Sequence, residues 1–561
     1  MIKAGATVTA PRLRRVLAIG VLVALHLGAL GVMVWSEPDL IGKAAFLLAW
    51  CVFNALWLLL LRRPAASAAL AMTMLMLLIA LSVFKHGILV MTVSFTDVLI
   101  VDTDTFWFVL DTYIDLAWYA TVAVLIAVPL LIAMFWLDPL RVRSRTALVA
   151  LVACFALLAG LSFAVPLDRE EEFIRNRFLS KFARSGAVAA VDLVTRGILE
   201  ADTNATERLA AEESNECQPT AKLPHICLIF DESSFDATLM PGIKVGPDYR
   251  QHFRSFDGKE RKLLVEGAGG PSWFTEYNVL TGLSVRSYGR FAESVTRLAA
   301  GHVERGLAHA LRHCGYRTFS MYPYYGAFVG ARRFHTSAGI ERFFDADNLG
   351  GLKKTDSHYF DFALRTITWE MTGVPMFMFL YTAANHFPWN SRYRPDLLSN
   401  WRNLGNRSDV DEYLRRQAMS AQDYPRFLKR LREEFPDESF LVVRFGDHQP
   451  LFAKYFMDPM LDEAAVAKRV QAYDPRYLTT YYAIDTVNFT PADLSSALDT
   501  LDAPYLPLVL LEAAGVPLDS SFEEQKNILQ RCSGLFYACK DGAEARRFNR
   551  LLIDAGLING L

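Results

Sequence analysis

The sequence predicts five membrane-spanning helices at the N-terminus, followed by an α/β domain on a mostly parallel central sheet. Three observations predict this. Long uncharged apolar runs are confined almost entirely to the first third of the 561 residues. The loops between those runs alternate between arginine-rich and acidic. From His225 onward, short apolar runs alternate with helical stretches, and the apolar runs lead into polar residues.

The apolar runs are residues 16–35, 44–61, 66–83, 116–136 and 146–165, and none contains Asp, Glu, Lys or Arg. Each is about the length that crosses a hydrocarbon core. The first lacks a small-residue cleavage site and reads as a retained span. Arg12, Arg14 and Arg15 precede the first run, Arg62 and Arg63 follow the second, and Arg141, Arg143 and Arg145 precede the fifth. The opposite loops hold Glu37 and Asp39, then Asp97, Asp102, Asp104, Asp111 and Asp115. The bias of basic residues to the cytoplasm places the N-terminus inside and everything after about Pro166 outside. An apolar fraction of 52% and a mean hydropathy of +0.19 fit a chain part bilayer and part globular. A net charge of −2 excludes a nucleic-acid partner, which requires a basic surface.

Three regions follow: transmembrane residues 1–166, a linker at 167–222, and a globular domain at 223–561. Residues 84–110 mix apolar residues with aspartates and read as an element at the outer interface, or an ordinary outer loop. The linker begins charged and helical in pattern and turns polar, which predicts amphipathic helices on the membrane surface and then a flexible connection. Five cysteines lie beyond the spans, where disulfides persist. Cys532 and Cys539 are close enough to close a short loop, and Cys227 sits in an apolar run as a candidate free thiol.

In the globular domain, strands are expected at 225–230, 262–265, 317–321, 375–381, 440–445 and 479–483. Helices are expected at 302–313, 359–370, 412–434 and 504–514. Continuous apolar strands alternating with helices imply a sheet covered on both faces. Ligands of such sheets bind beyond the carboxyl ends of the strands. Reading those ends gives Asp231, Glu232, Ser233 and Ser234, then Glu266 and GAGGPSWFTEYNVLTG, then Asn385 and His386, then Gly446, Asp447 and His448. Taken singly, an Asp-His pair is a surface turn and an acidic pair is a helix start. Together they form a carboxylate–imidazole set suited to a divalent metal, Zn²⁺ or Mn²⁺. In the glycine-rich segment, Ser272 follows Gly269, Gly270 and Pro271 at a predicted helix N-terminus, which favours an oxyanion. It reads as a nucleophile or as an N-cap helped by Glu276; Thr275, one turn on, is the alternative nucleophile.

At these residues the chain resembles the alkaline phosphatase/sulfatase superfamily. It looks most like the membrane-bound branch of lipoteichoic acid synthase, phosphoglycerol transferase I of periplasmic glucans and lipid A phosphoethanolamine transferases. The resemblance rests on IFDESSF, GGPSWFTEYNVLTG, AANHFPW and FGDHQP in that order, with the five-span topology. It implies a sulfatase-like catalytic domain outside a bacterial cytoplasmic (inner) membrane, and one divalent metal ion, Mn²⁺ or Zn²⁺. The implied ligands are Glu232, Asp447 and His448, with the Ser272 hydroxyl completing the set. Ser272 stands where the family usually has threonine. His386, Asn385, Glu276 and either Arg332 or Arg333 fall where substrate contacts are expected. The Cys/Ser-x-Pro-x-Arg motif of formylglycine sulfatases is not found near Ser272. The implied reaction transfers a headgroup from a membrane phospholipid donor, through a covalent intermediate, to a glycan, glycolipid or polymer acceptor. Hydrolysis of the same substrate, or a non-catalytic sensor, are the competing readings.

Overall fold

A computed structural model describes residues 10–89, 92–99, 101, 106–107, 109–110, 113–165, 176–195, 197–210, 217–219 and 221–560. By packing, the chain divides into two compact units. The first comprises Met1–Leu99, Phe106–Thr195 and Glu463–Lys468; the second holds the rest.

The first unit contains α1 (Ala10–Ser36), α2 (Leu40–Leu61), α3 (Pro64–Leu89), α4 (Ile114–Leu137), α5 (Ser144–Ala164) and α6 (Phe178–Thr195). Five of these, α1 to α5, are long and apolar enough to cross a membrane. Four of the expected runs fall wholly within them, and the fifth does except for Val165, which follows the last helical residue. Asp39 caps α2 by accepting from Gly42 N at 2.8 Å. The α2–α3 turn is two residues long and places Arg62 in the left-handed region (φ 58°). A buried cluster of Ala29, Phe46, Ala49, Trp50, Ala71, Leu75 and Leu78 joins α1, α2 and α3.

The linker departs from its expectation in two ways. Its helix α6 buries Phe178 and Leu179 and packs against α2, α3 and α5, because one apolar face continues the bundle core. Residues 166–175, the start of the expected amphipathic stretch, lie outside the described residues. The described part of the connection is held rather than loose. Glu200 N donates to Ser287 O at 2.8 Å, Tyr537 donates to Glu200 Oε2 at 2.8 Å, and Cys217 is bridged to Cys314. In the 84–110 region, α3 runs on to Leu89 and a 3₁₀ turn at Phe95–Leu99 follows, with Lys85 paired to Asp97 at 2.7 Å. Much of the remainder lies outside the described residues.

The second unit is an α/β domain on an eight-stranded sheet in the order β4-β3-β5-β1-β6-β7-β2-β8. The strands are β1 (His225–Asp231), β2 (Arg261–Leu264), β3 (Arg317–Met321), β4 (Arg342–Phe344), β5 (Met376–Tyr381), β6 (Phe440–Gly446), β7 (Thr479–Val487) and β8 (Thr500–Asp502). Only β7 runs antiparallel to its neighbours. The three-residue strands β4 and β8 were not expected. Their own residues specify little, and pairing along β3 and β2 creates them. Strands β1, β5 and β6 are buried along their whole length. This is why they read as continuous apolar runs.

The helices used below are α7 (Ser272–Thr281), α8 (Leu307–His313), α9 (Ala331–Ser337), α10 (Asp356–Glu370), α11 (Ser408–Glu434) and α12 (Leu506–Ala514). The helix expected from residue 302 begins only at Leu307. Gly306 sits so close to α7 that a β-carbon there would lie 2.3 Å from Leu280 O, which forces an irregular entry. Helices α10 and α11 pack Tyr359, Phe360, Tyr424 and Phe427 over β1, β3, β5 and β6. Cys532 and Cys539 are bridged, and Cys227 is a buried free thiol.

Register sets up the chemistry. Phe230 pairs with Tyr381 and Asp231 with Gly446, so β1, β5 and β6 end level at one edge. At that edge a β-carbon on Gly446 would lie 1.8 Å from Ser234 O. Gly446→Ala should therefore destabilise the domain by about 3 kcal/mol. Chemical denaturation with intrinsic fluorescence checks this; an unchanged midpoint would show the edge to be looser than described.

Candidate active site

The residue after β1 is Glu232, and the two after β6 are Asp447 and His448. All three are buried, and one ligand atom from each lies within 4.8 Å of the others. His448 Nε2 stands 3.1 Å from Asp447 Oδ2 and 3.8 Å from Glu232 Oε1. Each ligand atom is aimed by a contact at the other end of its group. His448 Nδ1 donates to Gln449 O at 2.8 Å, which leaves the Nε2 lone pair facing inward. Asp447 Oδ1 accepts from Ser233 N at 2.7 Å. Glu232 Oε2 accepts from Tyr381 at 2.7 Å, and Oε1 from the Ser233 hydroxyl at 2.8 Å.

The inward atoms are carboxyl oxygens and one ring nitrogen. Burial, and then the charge of Asp447, pushes the Glu232 carboxyl up to about 8; burial pushes Asp447 up to about 7. Burial lowers His448, so no imidazolium balances them. Asp447 Oδ2 is buried without a full hydrogen bond. Once both carboxyls are ionised, these groups repel at such distances unless a cation lies between them. The donor set of two carboxylates and one imidazole fits a divalent metal.

Ser272 is the first residue of α7. Pro271 occupies the cap position, and no side chain caps the helix. The Ser272 hydroxyl therefore does not act as an N-cap. Its Oγ lies 3.2 Å from His448 Nε2 and reaches Asp447 as well. Gly269 (φ 71°) makes the approach possible, since a β-carbon there would meet Leu451 at 3.1 Å. Thr275 is fully buried and donates to Asp447 O at 2.7 Å. The structure brings Ser272, and not the Thr275 hydroxyl, to the ligand atoms.

The remaining expected residues divide. His386 is half-buried after β5; its Nδ1 donates to Phe387 O at 2.7 Å, and its ring lies 5.5 Å from that of Tyr324. Burial lowers the His386 pKa to about 3, so it acts as a neutral imidazole. Asn385 is buried, with its amide beside the Tyr413 hydroxyl but short of a full hydrogen bond. Arg416 fixes this loop by donating to His386 O at 2.7 Å and to Pro388 O at 2.9 Å. Glu276 is not presented to a ligand: it is 1% exposed and bound to His335 Nε2 at 2.7 Å. Arg332 is paired with Asp345, and Arg333 is exposed on α9. Neither arginine has a described hydrogen bond to the ligand cluster.

Sequence reasoning missed Tyr381, and placed Ser233 at the strand end without giving it a role. Tyr381 closes the apolar run PMFMFLY and reads as core, although its place at a strand end was a usable signal. Because Tyr381 orients Glu232, Tyr381→Phe should weaken metal affinity about tenfold without unfolding the domain. Metal titration calorimetry checks this; unaltered affinity would reduce Tyr381 to a packing residue.

Residues 272–472 match the family model described as sulfatase. Ser272, His386, Asp447 and His448 fall within the matched segment, and Glu232 precedes it. A Rhizobium meliloti protein, named provisionally for cyclic beta-1,2-glucan modification, is 23% identical over 290 residues, 50% of this chain and 44% of that protein. A Haemophilus influenzae protein without an assigned activity is 21% identical over 275 residues, covering 47% of its length. The chain thus spans less than half the length of the curated relatives it matches. Among solved structures, the Streptococcus pyogenes phosphoglycerol transferase GacH is 14% identical, with 61% of this chain and 87% of that chain covered and a TM-score of 0.46. The lipooligosaccharide phosphoethanolamine transferase EptA from Neisseria meningitidis is 10% identical, with 84% and 95% covered and a TM-score of 0.44.

Proposed function

We propose that this chain, with its sulfatase-like domain and five apolar helices, is a metal-dependent transferase of phospholipid headgroups. It moves phosphoglycerol or phosphoethanolamine from a membrane phospholipid to a glycan, glycolipid or polymer acceptor outside the cytoplasm. The observation that carries the reading is the Ser272 hydroxyl, 3.2 Å from His448 Nε2, at a helix N-terminus beside two further ligand-type side chains.

Glu232, Asp447 and His448 would hold one Mn²⁺ or Zn²⁺ ion, which lowers the pKa of a facing hydroxyl and draws charge from phosphoryl oxygens. Ser272 Oγ then attacks phosphorus. The Ser272 hydroxyl gives its proton to solvent as the Ser272–phosphorus bond forms, the bond from phosphorus to the diacylglycerol oxygen breaks, and that oxygen leaves with a proton taken from solvent. The positive end of the α7 dipole favours the charge developing on the phosphoryl oxygens. An acceptor hydroxyl reverses the sequence and frees Ser272. His386 and Asn385 border the substrate as hydrogen-bonding groups rather than charges. Arg333 is the arginine proposed to meet the phosphate, since Asp345 holds Arg332. Glu276, locked to His335, acts by positioning α7. The spans tether the domain to the bilayer that supplies the donor, with the N-terminus cytoplasmic and the domain on the opposite side.

The test is full-length protein in liposomes containing headgroup-labelled phosphatidylglycerol or phosphatidylethanolamine, with extracted envelope glycans as acceptors. Label appearing on an acceptor, with diacylglycerol released, is expected. Label released only as free phospho-headgroup would instead establish a hydrolase, and unreacted lipid would contradict both.

A further inference from the structure

The first unit carries a second feature that the proposed chemistry does not use. Between α2, α3 and α4 lies an apolar groove of about 230 Å³, lined by Leu61, Ala66, Leu70, Leu131, Phe135 and Trp136 with Ile132 at its side. No polar group lines it. Its end is formed by the α2–α3 turn and the segment after α4, and those two stretches are rich in arginine. Arg62, Arg141 and Arg143 are exposed, and none has an ion pair among the described residues.

The groove is held in shape by its own neighbours. Arg63 Nη1 donates to Phe135 O at 2.6 Å and to Asp138 O at 2.5 Å, and its guanidinium lies 4.5 Å from the Phe135 ring centre. Val142 N donates to Arg62 O at 3.1 Å, which ties the two stretches together. Asp138 is the one acid in these stretches (62–66 and 138–145). Its carboxylate accepts from Ala65 N at 2.8 Å, Ala66 N at 3.2 Å and Leu140 N at 2.9 Å. It is therefore spent on capping α3 and does not neutralise the exposed arginines.

Arginines at this end also fit a topology signal alone. A topology signal needs charge but no groove, and no rigid wall beside the charges. We infer that this groove is a binding site for an anionic phospholipid, with an acyl chain in the apolar channel and the phosphate among Arg62, Arg141 and Arg143. Basic clusters at the ends of membrane helices attract anionic headgroups in this way. The site lies wholly within the first unit and does not depend on the transferase reading.

Native mass spectrometry of the full-length protein in detergent tests this. The probes are dioleoylphosphatidylserine and dioleoylphosphatidylcholine at equal concentration; neither carries a headgroup proposed for transfer. The serine lipid should be retained at least about tenfold better. The triple variant Arg62→Gln, Arg141→Gln, Arg143→Gln changes only exposed side chains and should bring the ratio close to one. Ile132→Trp, which fills the groove from its exposed side, should lower retention of both lipids. Equal retention of the two lipids by the unaltered protein would overturn the inference. So would a preference that survives the arginine substitutions, or a serine-lipid signal that Ile132→Trp leaves intact.

Discussion

Ser272→Ala should leave the protein folded and membrane-inserted, and should lower headgroup transfer by about four orders of magnitude or more, the scale on which nucleophile removal acts. The reasoning is local. Ser272 is half-buried, it caps nothing, and its hydroxyl has no structural partner beyond the ligand-type groups of the cluster. Losing that oxygen removes no helix cap and opens no core cavity, so the fold has little to lose. The covalent path, by contrast, has no substitute atom. Thr275 Oγ1 is committed to Asp447 O and fully buried. Thr275→Val should accordingly act through stability and the placement of Asp447, with a modest fall in activity. Assay of both variants alongside melting curves separates the two roles. Persistent transfer by Ser272→Ala would remove Ser272 from the mechanism.

The second large effect concerns the metal. Chelation should abolish transfer, and either Mn²⁺ or Zn²⁺ should restore it. Binding should also stabilise the fold, by about 2.7 kcal/mol when free metal is a hundredfold above its dissociation constant. Asp447→Asn sharpens the expectation because it should act with opposite signs in the two states. Without metal and above about pH 8, where both groups are ionised, the two buried carboxylates repel, and neutralising one should raise the melting temperature. The amide oxygen can still accept from Ser233 N, so the local structure keeps its contact. With metal present the variant should gain little, because an anionic ligand is gone. Differential scanning fluorimetry with and without metal reads both signs. A variant destabilised without metal, or one stabilised by metal as strongly as the parent, would contradict the assignment of Asp447.

The spans were legible because about twenty uncharged apolar residues have few other uses, and each run lies within one described helix, save Val165 at the end of the fifth. The strands that build the site were legible for a related reason: β1, β5 and β6 are buried on both faces, so each reads as an uninterrupted apolar run. The candidate ligands follow at once, since residues just beyond such strands have nowhere to go but the ligand edge. What the sequence concealed depends on distant partners. Glu276 looked like a capping or substrate residue until His335, 59 positions away, claimed it. Arg332 and Arg333 were indistinguishable by spacing; in the fold Asp345 pairs with Arg332, while Arg333 is exposed. Strands β4 and β8 arise from pairing rather than from residues of their own. Tyr381 was hidden because a tyrosine among Met, Phe and Leu looks like core, and only the register that sets it beside Phe230 at the end of β1 shows its hydroxyl reaching Glu232.

The central claim is that Ser272 carries the transferred group. The direct measurement is peptide mass spectrometry of the full-length protein, acid-quenched during turnover of phosphatidylglycerol or phosphatidylethanolamine with acceptor omitted. The account predicts a phospho-headgroup adduct on the peptide containing Ser272, located to Ser272 by fragmentation and removed when acceptor is added. An adduct on Thr275, or diacylglycerol release at full rate with no adduct on either residue, would contradict it.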